Sequence, residues 1–443
     1  MRRFLGMVLF TICVPLSMVF LSYGLYWAAA GLEHFTSGHG LPPTYGVAIA
    51  NVLTLMAGVV MTTAAALTVG ERKWSAMIQN RVGPNRIRVF GNSIGGMPFL
   101  IADALKMLTK ENIEPTQRSR VLYELAPMAA FAPSFVLFAV VPLGPPVDIA
   151  VGTSVHRVAL QVASIDAGLL FVFGAASLAV YGTALAGWSS NSKLAILGGV
   201  RASSQMISYE VSLGLALAGS MMAYQTLRIE EMVNAQGTLL WGFLPALGFI
   251  LQPVGLLVFF ASAFAETKRA PFDLPEGESE IVGYFVEYPG MKFGMMFLAE
   301  FIEVVVLASI TTAIFFGGWH PIIFEQSLKD TFGEASVWWA AICAGAFLTK
   351  VLLLCWLQLV IRWTLPRFRF DQVQKLCWKM LLPVALGNVF LTGALILIDP
   401  TLHLLAAVGI VELVAIVLLT AAASKKGEAP APAHAAAHAA PGH

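Results

Sequence analysis

Ten apolar stretches, each near the roughly 20 residues that a helix needs to cross a bilayer, constrain the fold of this 443-residue chain most strongly. Hydrocarbon offers no water to backbone N–H and C=O groups, so such stretches are expected to be helical. Only 12% of the residues are charged, against roughly 25% in soluble domains. The sequence predicts an all-α polytopic membrane protein. The expected spans are 4–30, 46–70, 121–143, 159–187, 206–224, 243–265, 293–317, 337–361, 380–398 and 403–423.

The basic residues are distributed very unevenly between the two ends of these spans. When alternate loops are assigned to opposite sides, 23 of the 27 Lys and Arg fall on one side, and only Arg157, Arg228 and Lys329 fall on the other. Cytoplasmic loops carry such an excess, so we predict that both termini are cytoplasmic. The first stretch resembles a secretory signal, but its long apolar part and the absence of a small-residue cleavage site favour an uncleaved span.

Motifs for metal, disulfide or nucleotide chemistry are missing from the sequence. Its four cysteines are dispersed, with no CxxC pair, whereas iron-sulfur and zinc sites need clustered ligands. No GxGxxG follows a predicted strand, and no Walker motif occurs. We therefore expect no redox centre within this chain and no nucleic acid among its partners.

An acidic segment lies between two of the apolar stretches. Residues 265–280 read AETKRAPFDLPEGESE and hold five acidic side chains: Glu266, Asp273, Glu276, Glu278 and Glu280. A carboxylate beside hydrocarbon costs several kcal/mol unless it is paired, hydrated or protonated. This density of acids predicts a functional site.

Further acidic residues fall inside predicted spans. Asp166 and Glu210 each enter an apolar stretch, whereas Glu300 and Glu303 share one helical face at i and i+3. Two like charges at that spacing favour proton binding by one of them, as a proton relay requires. Structural ion pairs are the alternative, with Lys350 as an intramembrane counter-charge.

Two segments on the side that carries most of the Lys and Arg residues suggest a surface at the membrane interface. The loop ERKWSAMIQNRVGPNRIRVFG, residues 71–91, surrounds a Gly-Pro-Asn turn with arginines that would contact lipid phosphates or a ligand. The following FLIADALKMLTKEN is too short and polar to span. Its apolar face predicts an amphipathic helix along the interface, or a docking surface for a soluble partner; that face holds Leu100, Ala104, Met107 and Leu108.

Five motifs in order resemble one known family: ERKWSAMIQNRVGPNR, GWSSNSK with RASSQMISYE, ETKRAPFDLPEGESEIVGYFVEYPGMKFGMMFLAEF, FFGGW and RWTLPRFRFDQ. The resemblance is to the H-type membrane subunit of respiratory complex I, the proton-pumping NADH:quinone oxidoreductase. It covers residues 46–400. Residues 1–45, with an extra N-terminal span, lie outside it, as do an additional C-terminal span at 401–424 and a His-rich tail at 425–443, which we expect to be disordered.

The resemblance implies a location in the bacterial inner membrane and a role at the junction of the two arms of the complex. Quinone is the implied substrate, while NADH, FMN and iron-sulfur clusters would reside in partner subunits. Those partners are the quinone-site and terminal iron-sulfur subunits of the hydrophilic arm and small subunits of the membrane arm. The implied quinone-site residues are Glu71, Arg72, Arg81, Arg86, Asp103, Arg201, Arg269 and Asp273. The implied proton-relay residues are Glu210, Glu266, Glu276, Glu278, Glu280 and Glu300, with Asp166 as a further candidate.

Two positions depart from the family pattern. Some relatives carry a glutamate where this chain has Ser177, and Glu124 is an acid without a familiar counterpart. Two other functions remain open at this point. One is the homologous membrane subunit of a ferredoxin-linked complex or membrane-bound hydrogenase. The other is a stand-alone ion-coupled transporter, although the sequence shows no internal repeat of the kind such transporters often have.

Overall fold

A computed structural model describes residues 2–39, 45–87, 96–151, 154–275, 277, 281–322, 325–333 and 335–427, with side chains from residue 13 to residue 422. Its helices are α1 (Arg2–Gly38), α2 (Tyr45–Ile78), α3 (Pro98–Thr109), α4 (Arg120–Val140), α5 (Gly168–Ser189), α6 (Lys193–Tyr224), α7 (Ile229–Gln236), α8 (Gly248–Leu251), α9 (Pro253–Glu266), α10 (Gly290–Phe315), α11 (Glu325–Phe332), α12 (Val337–Thr364), α13 (Phe370–Ile398) and α14 (His403–Gly427). Antiparallel pairs join β1 (Val147–Val151) to β2 (Ser154–Val158) and β3 (Leu239–Leu240) to β4 (Leu244–Pro245).

Nine helices in the described part of the chain are long and apolar enough to cross a membrane. This confirms the prediction of an all-α polytopic membrane protein. The described residues of five connections meet at one end of the bundle, which we call the basic side: 79–87 and 96–97, 110–119, 190–192, 267–275 with 277 and 281–289, and 365–369. The β1–β2 hairpin lies at the opposite end.

The sixth predicted span is interrupted. Pro253 has no N–H to donate and disfavours helical geometry at the residue before it, and Gln252 accordingly adopts φ −140° and ψ 59° between α8 and α9. The 14 residues of α9 span about 21 Å, which is shorter than a hydrocarbon core of about 30 Å. The predicted ten spans are therefore nine long helices and this short one, whose last residue is Glu266.

The core of the bundle is α10. Every residue from Ala299 to Phe315 is buried, so Glu300 and Glu303 lie in the interior and not at a lipid surface. The N-terminal α1 packs along α12, where a Cβ on Gly345 would lie 2.9 Å from the backbone nitrogen of Val19.

The amphipathic α3 lies across the start of α10. A Cβ on Gly294 would come 2.8 Å from Sδ of Met107, and Leu100 is also partly buried. Of the predicted apolar face, Leu100 and Met107 are partly buried, whereas Ala104 and Leu108 are exposed. The helix is rotated so that its side toward the protein includes Asp103, which finds a partner there.

Candidate functional site

Glu71 is the centre of an ion-pair cluster on the basic side. It ends the transmembrane part of α2 and receives Nη1 of Arg269 at 2.7 Å on one oxygen and the guanidinium of Arg362 on the other. The Arg269 guanidinium carbon also lies 3.8 Å from the ring centroid of Phe301, a cation–π contact. Two guanidinium groups on one carboxylate leave a net positive charge, and Glu71 and Arg269 are only 12% and 7% exposed.

This cluster borders an open cavity of about 520 Å³, a size typical of small-molecule sites. Arg72 lies in its wall, bound to Asp103 at 3.0 Å, with its guanidinium 4.6 Å from the centre of the Phe99 ring. The aromatic walls suit a flat ring, and the arginines suit a partial negative charge. The lining residues are Glu71, Arg72, Ser75, Arg81, Val82, Gly83, Pro84, Asn85, Arg86, Ile87, Phe99 and Trp363.

Four of the eight predicted quinone-site residues line this cavity: Glu71, Arg72, Arg81 and Arg86. Arg269 and Asp103 do not line the cavity but bind residues that do. Arg269 pairs with Glu71, and Asp103 pairs with Arg72. Arg201 is partly buried on α6 and is not among the lining residues.

Asp273 is also absent from the lining. Its carboxylate lies 3.5 Å from Nη2 of Arg367, which also donates to the Asp273 carbonyl oxygen. Sequence reasoning missed Arg362 as a site residue, although it begins the RWTLPRFRFDQ motif.

Deeper in the bundle, three carboxylic acids face one small cavity. Glu210 of α6, Glu266 of α9 and Glu303 of α10 line it together with apolar side chains. Its volume is about 20 Å³, close to the 10–15 Å³ or so that one water molecule needs. Glu266 and Glu303 are 9% and 6% exposed. The cavity therefore has room for about one water molecule.

Lys268 supplies the positive charge for this acidic cluster. Its Nζ, on a side chain only 3% exposed, lies 3.8 Å from Oε2 of Glu303, and Ser134 donates to Oε1 of Glu303 at 2.9 Å. Lys350, predicted as the intramembrane counter-charge, does not fill that role. Its Nζ donates to the carbonyl oxygens of Phe316, Gly318 and His320, at the far end of α10. Carbonyl groups just past a helix C-terminus lack helical donors and attract a cation.

Glu300 is a further predicted relay residue, in the buried part of α10. Glu300 is 4% exposed and accepts from the Tyr284 hydroxyl at 3.3 Å, one turn closer to the basic side than Glu303. The Ser177 hydroxyl, at the position where some relatives carry an acid, lies near Glu210 and donates to the carbonyl oxygen of Phe173 at 2.8 Å. The predicted Glu276, Glu278 and Glu280 lie outside the described residues.

Asp166 does not belong to the acidic cluster, which corrects its placement within a span. Helix α5 begins only at Gly168, and the Asp166 side chain is 91% exposed and 2.9 Å from Nε of Arg228. The pair lies at the end of the bundle opposite the basic side. An α5 of 22 residues separates it from that side by about 33 Å.

Glu124, whose role the sequence left open, belongs to an interfacial cluster around Lys292. Nζ of Lys292 lies 2.6 Å from Glu124 and 2.5 Å from Glu114. The Lys292 ammonium holds the pKa of the Glu114 carboxyl below its usual value of 4.5. This cluster ties the segment before α4 to the start of α10 and is separate from the acidic cluster.

Comparison with known proteins decides the family. The model of the NADH dehydrogenase family matches residues 50–393, which include the described parts of both sites. The chain belongs to this family. Several relatives named as H-type subunits of NADH-quinone oxidoreductase are similar over most of their length. The second such protein of Geobacter sulfurreducens is 42% identical over 77% of this chain and 94% of its own, and that of Bdellovibrio bacteriovorus is 41% identical over 74% and 90%. The NADH-quinone oxidoreductase subunit 8 of Rhodothermus marinus is 40% identical over 79% and 96%.

The NADH dehydrogenase match also shows which helices lie outside the matched region. Helix α1 ends before residue 50, and α14 begins after residue 393. The two sites therefore lie on the part shared with the family, while the first and last helices lie outside it.

Proposed function

We propose that the chain is the H-type membrane subunit of a proton-pumping NADH:quinone oxidoreductase in the bacterial inner membrane, with both termini cytoplasmic. The excess of Lys and Arg on the basic side supports this orientation. In this proposal the 520 Å³ cavity forms part of the quinone headgroup chamber, and the acids around the small cavity carry protons.

One observation carries this proposal: the short segment 266–269 has side chains at both sites. Arg269 binds Glu71 at the edge of the large cavity, and Lys268 lies beside Glu303. Glu266 itself lines the small cavity. Any displacement of Arg269 is therefore transmitted along the intervening peptide bonds to the cation and the acid of the proton site.

The mechanism follows from charge. Reduction of a quinone to a quinol takes up two electrons, which a partner subunit supplies in this proposal, and two protons. The quinol is neutral, so the headgroup carries negative charge beside Glu71 and Arg269 only after the electrons arrive and before the protons do. The Arg269–Glu71 and Arg362–Glu71 contacts respond, because both compete with any negative charge in the cavity. Lys268 then shifts relative to Glu303. This shift changes how one proton is distributed among the carboxyl groups of Glu303, Glu266 and Glu210.

The electrons in this proposal come from partner subunits. Of the described residues, none form a group of three or more His, Cys, Asp or Glu that could hold a metal ion, and the four cysteines are free. NADH, FMN and the iron-sulfur clusters are accordingly assigned to the partners in the hydrophilic arm, and small membrane subunits to the membrane arm.

The test uses the assembled complex with Glu266→Gln. We expect lower coupled quinone reductase activity and lower proton translocation, because an amide cannot exchange protons at neutral pH. Glu124→Gln is the control, since Glu124 pairs with Lys292 outside the acidic cluster and should leave both rates unchanged. Full pumping by Glu266→Gln would refute the proton assignment. Copurification with the large subunit of a nickel–iron hydrogenase would instead refute the quinone assignment.

A further inference from the structure

The last helix, outside the region matched by the family model, packs against the interruption between α8 and α9. Gly409 of α14 lies so close to α8 that a Cβ on it would be 1.9 Å from the carbonyl oxygen of Ile250. No side chain fits in that space, so the two backbones are in direct contact. Non-helical backbone at membrane depth must be covered by protein, and α14 covers it here.

Polar side chains surround this interruption. Gln252, at the break, donates from Nε2 to Oγ1 of Thr392 at 2.7 Å and accepts from Nδ2 of Asn388 at 2.7 Å. Glu412, one turn after Gly409, joins the same group and lines the same narrow space. It shares this space with Gln252, the residue that directly precedes α9.

The N-terminus of α9 is where a carboxylate is stabilising. The first N–H groups of a helix have no acceptor within the helix, and the helix dipole places a partial positive charge there. Glu412 lies near the middle of α14, and a carboxylate at such a depth is retained only where it has partners. Glu412 therefore anchors the start of α9 from a helix that the family model does not include.

The other end of α9 is Glu266. A helix of 14 residues moves as a nearly rigid rod of about 21 Å, so the anchor at one end sets the position of the other. We infer that Glu412 is a positioning residue for Glu266, and that α14 thereby takes part in proton transfer. This inference rests on the proposed function. It assigns to the additional span a role in turnover, beyond attachment to the bundle.

The experiment compares Glu412→Ala and Glu412→Gln in the assembled complex, with rates expressed per flavin in the purified complex. We expect Glu412→Ala to lower turnover and pumping by about two- to tenfold with an unchanged KM for quinone, because the quinone cavity is not touched. Glu412→Gln keeps the size and the hydrogen-bonding capacity of the side chain in the polar group around Gln252 and should restore part of the rate. Val411→Ala is the matched control, on the exposed face of the same turn.

A double-mutant comparison shows whether Glu412 acts through Glu266. If it does, combining Glu412→Ala with Glu266→Gln lowers turnover no further than Glu266→Gln alone, because coupled sites are not additive. A purely structural role would reduce the amount of complex and leave turnover per flavin at the wild-type value, which would overturn the inference. Normal activity of Glu266→Gln would instead refute the proposed function itself, so the two failures are distinguishable.

Discussion

Replacing Lys268 by methionine should uncouple the two sites, and the structure supplies the magnitude. Nζ of Lys268 lies 3.8 Å from Oε2 of Glu303, and both side chains are less than a tenth exposed. At an effective dielectric constant of about 20, two unit charges at this separation attract by about 4 kcal/mol. That is about a thousandfold in an equilibrium constant. A buried carboxylate without its cation neutralises by binding a proton, so Glu303 would stay protonated and stop exchanging.

The assay is NADH-driven proton uptake by proteoliposomes that contain the purified complex. Lys268→Met should reduce pumping at least tenfold, whereas Lys292→Met, which removes an interfacial lysine bound to Glu114 and Glu124, should not. The double variant Lys268→Met, Glu303→Gln removes both charges of this pair and should assemble better than Lys268→Met alone. Wild-type pumping by Lys268→Met would refute the reasoning, because the only cation paired with Glu303 among the described residues would then be dispensable.

Three further outcomes follow from the structure. Arg362→Gln removes one of the two guanidinium groups on Glu71 and should raise the KM for quinone severalfold, with an unchanged ratio of protons pumped to electrons transferred. Ser177→Ala removes the hydroxyl beside Glu210 and should slow pumping a few-fold while quinone binding stays normal, as a KM measurement would show. The lowered pKa of Glu114 contributes stability that is present above its unfolded value of 4.5 and is lost as the pH falls through the lower folded value. Thermal unfolding below pH 4.5 should therefore show a smaller drop in Tm for Glu114→Gln than for the wild type.

The membrane spans were predictable because each helix makes its backbone hydrogen bonds within itself. The length of an apolar stretch is therefore enough to identify a span. The errors occur where local chemistry competes with apolar length. Pro253 shortens the sixth span, and the segment before Gly168 remains outside the helix and exposes Asp166. Packing against Gly294 decides which side of α3 contacts the protein.

The site residues were predictable to a different extent. Motifs identified Glu71, Arg269 and Glu266, yet no spacing along the chain connects Glu71 with an arginine 198 residues away. Lys268 was overlooked because a lysine in a loop is ordinarily solvated, whereas here it is 3% exposed. Lys350 was named as an intramembrane counter-charge, and the carbonyl groups beyond α10 bind it instead.

Composition and apolar length thus determined that this chain is a helical membrane protein with acids beside hydrocarbon, since transfer free energies are properties of segments. Which acids share one water-sized cavity was decided by tertiary structure. Glu210, Glu266 and Glu303 come from three helices, and only the packing of α6, α9 and α10 sets their separations. The same holds for Glu412. In the sequence it is a single acid in an apolar stretch, whereas in the structure it shares a narrow space with Gln252, at the interruption of the sixth predicted span. Electrostatic interaction depends on distance in space, and the order of residues does not specify that distance.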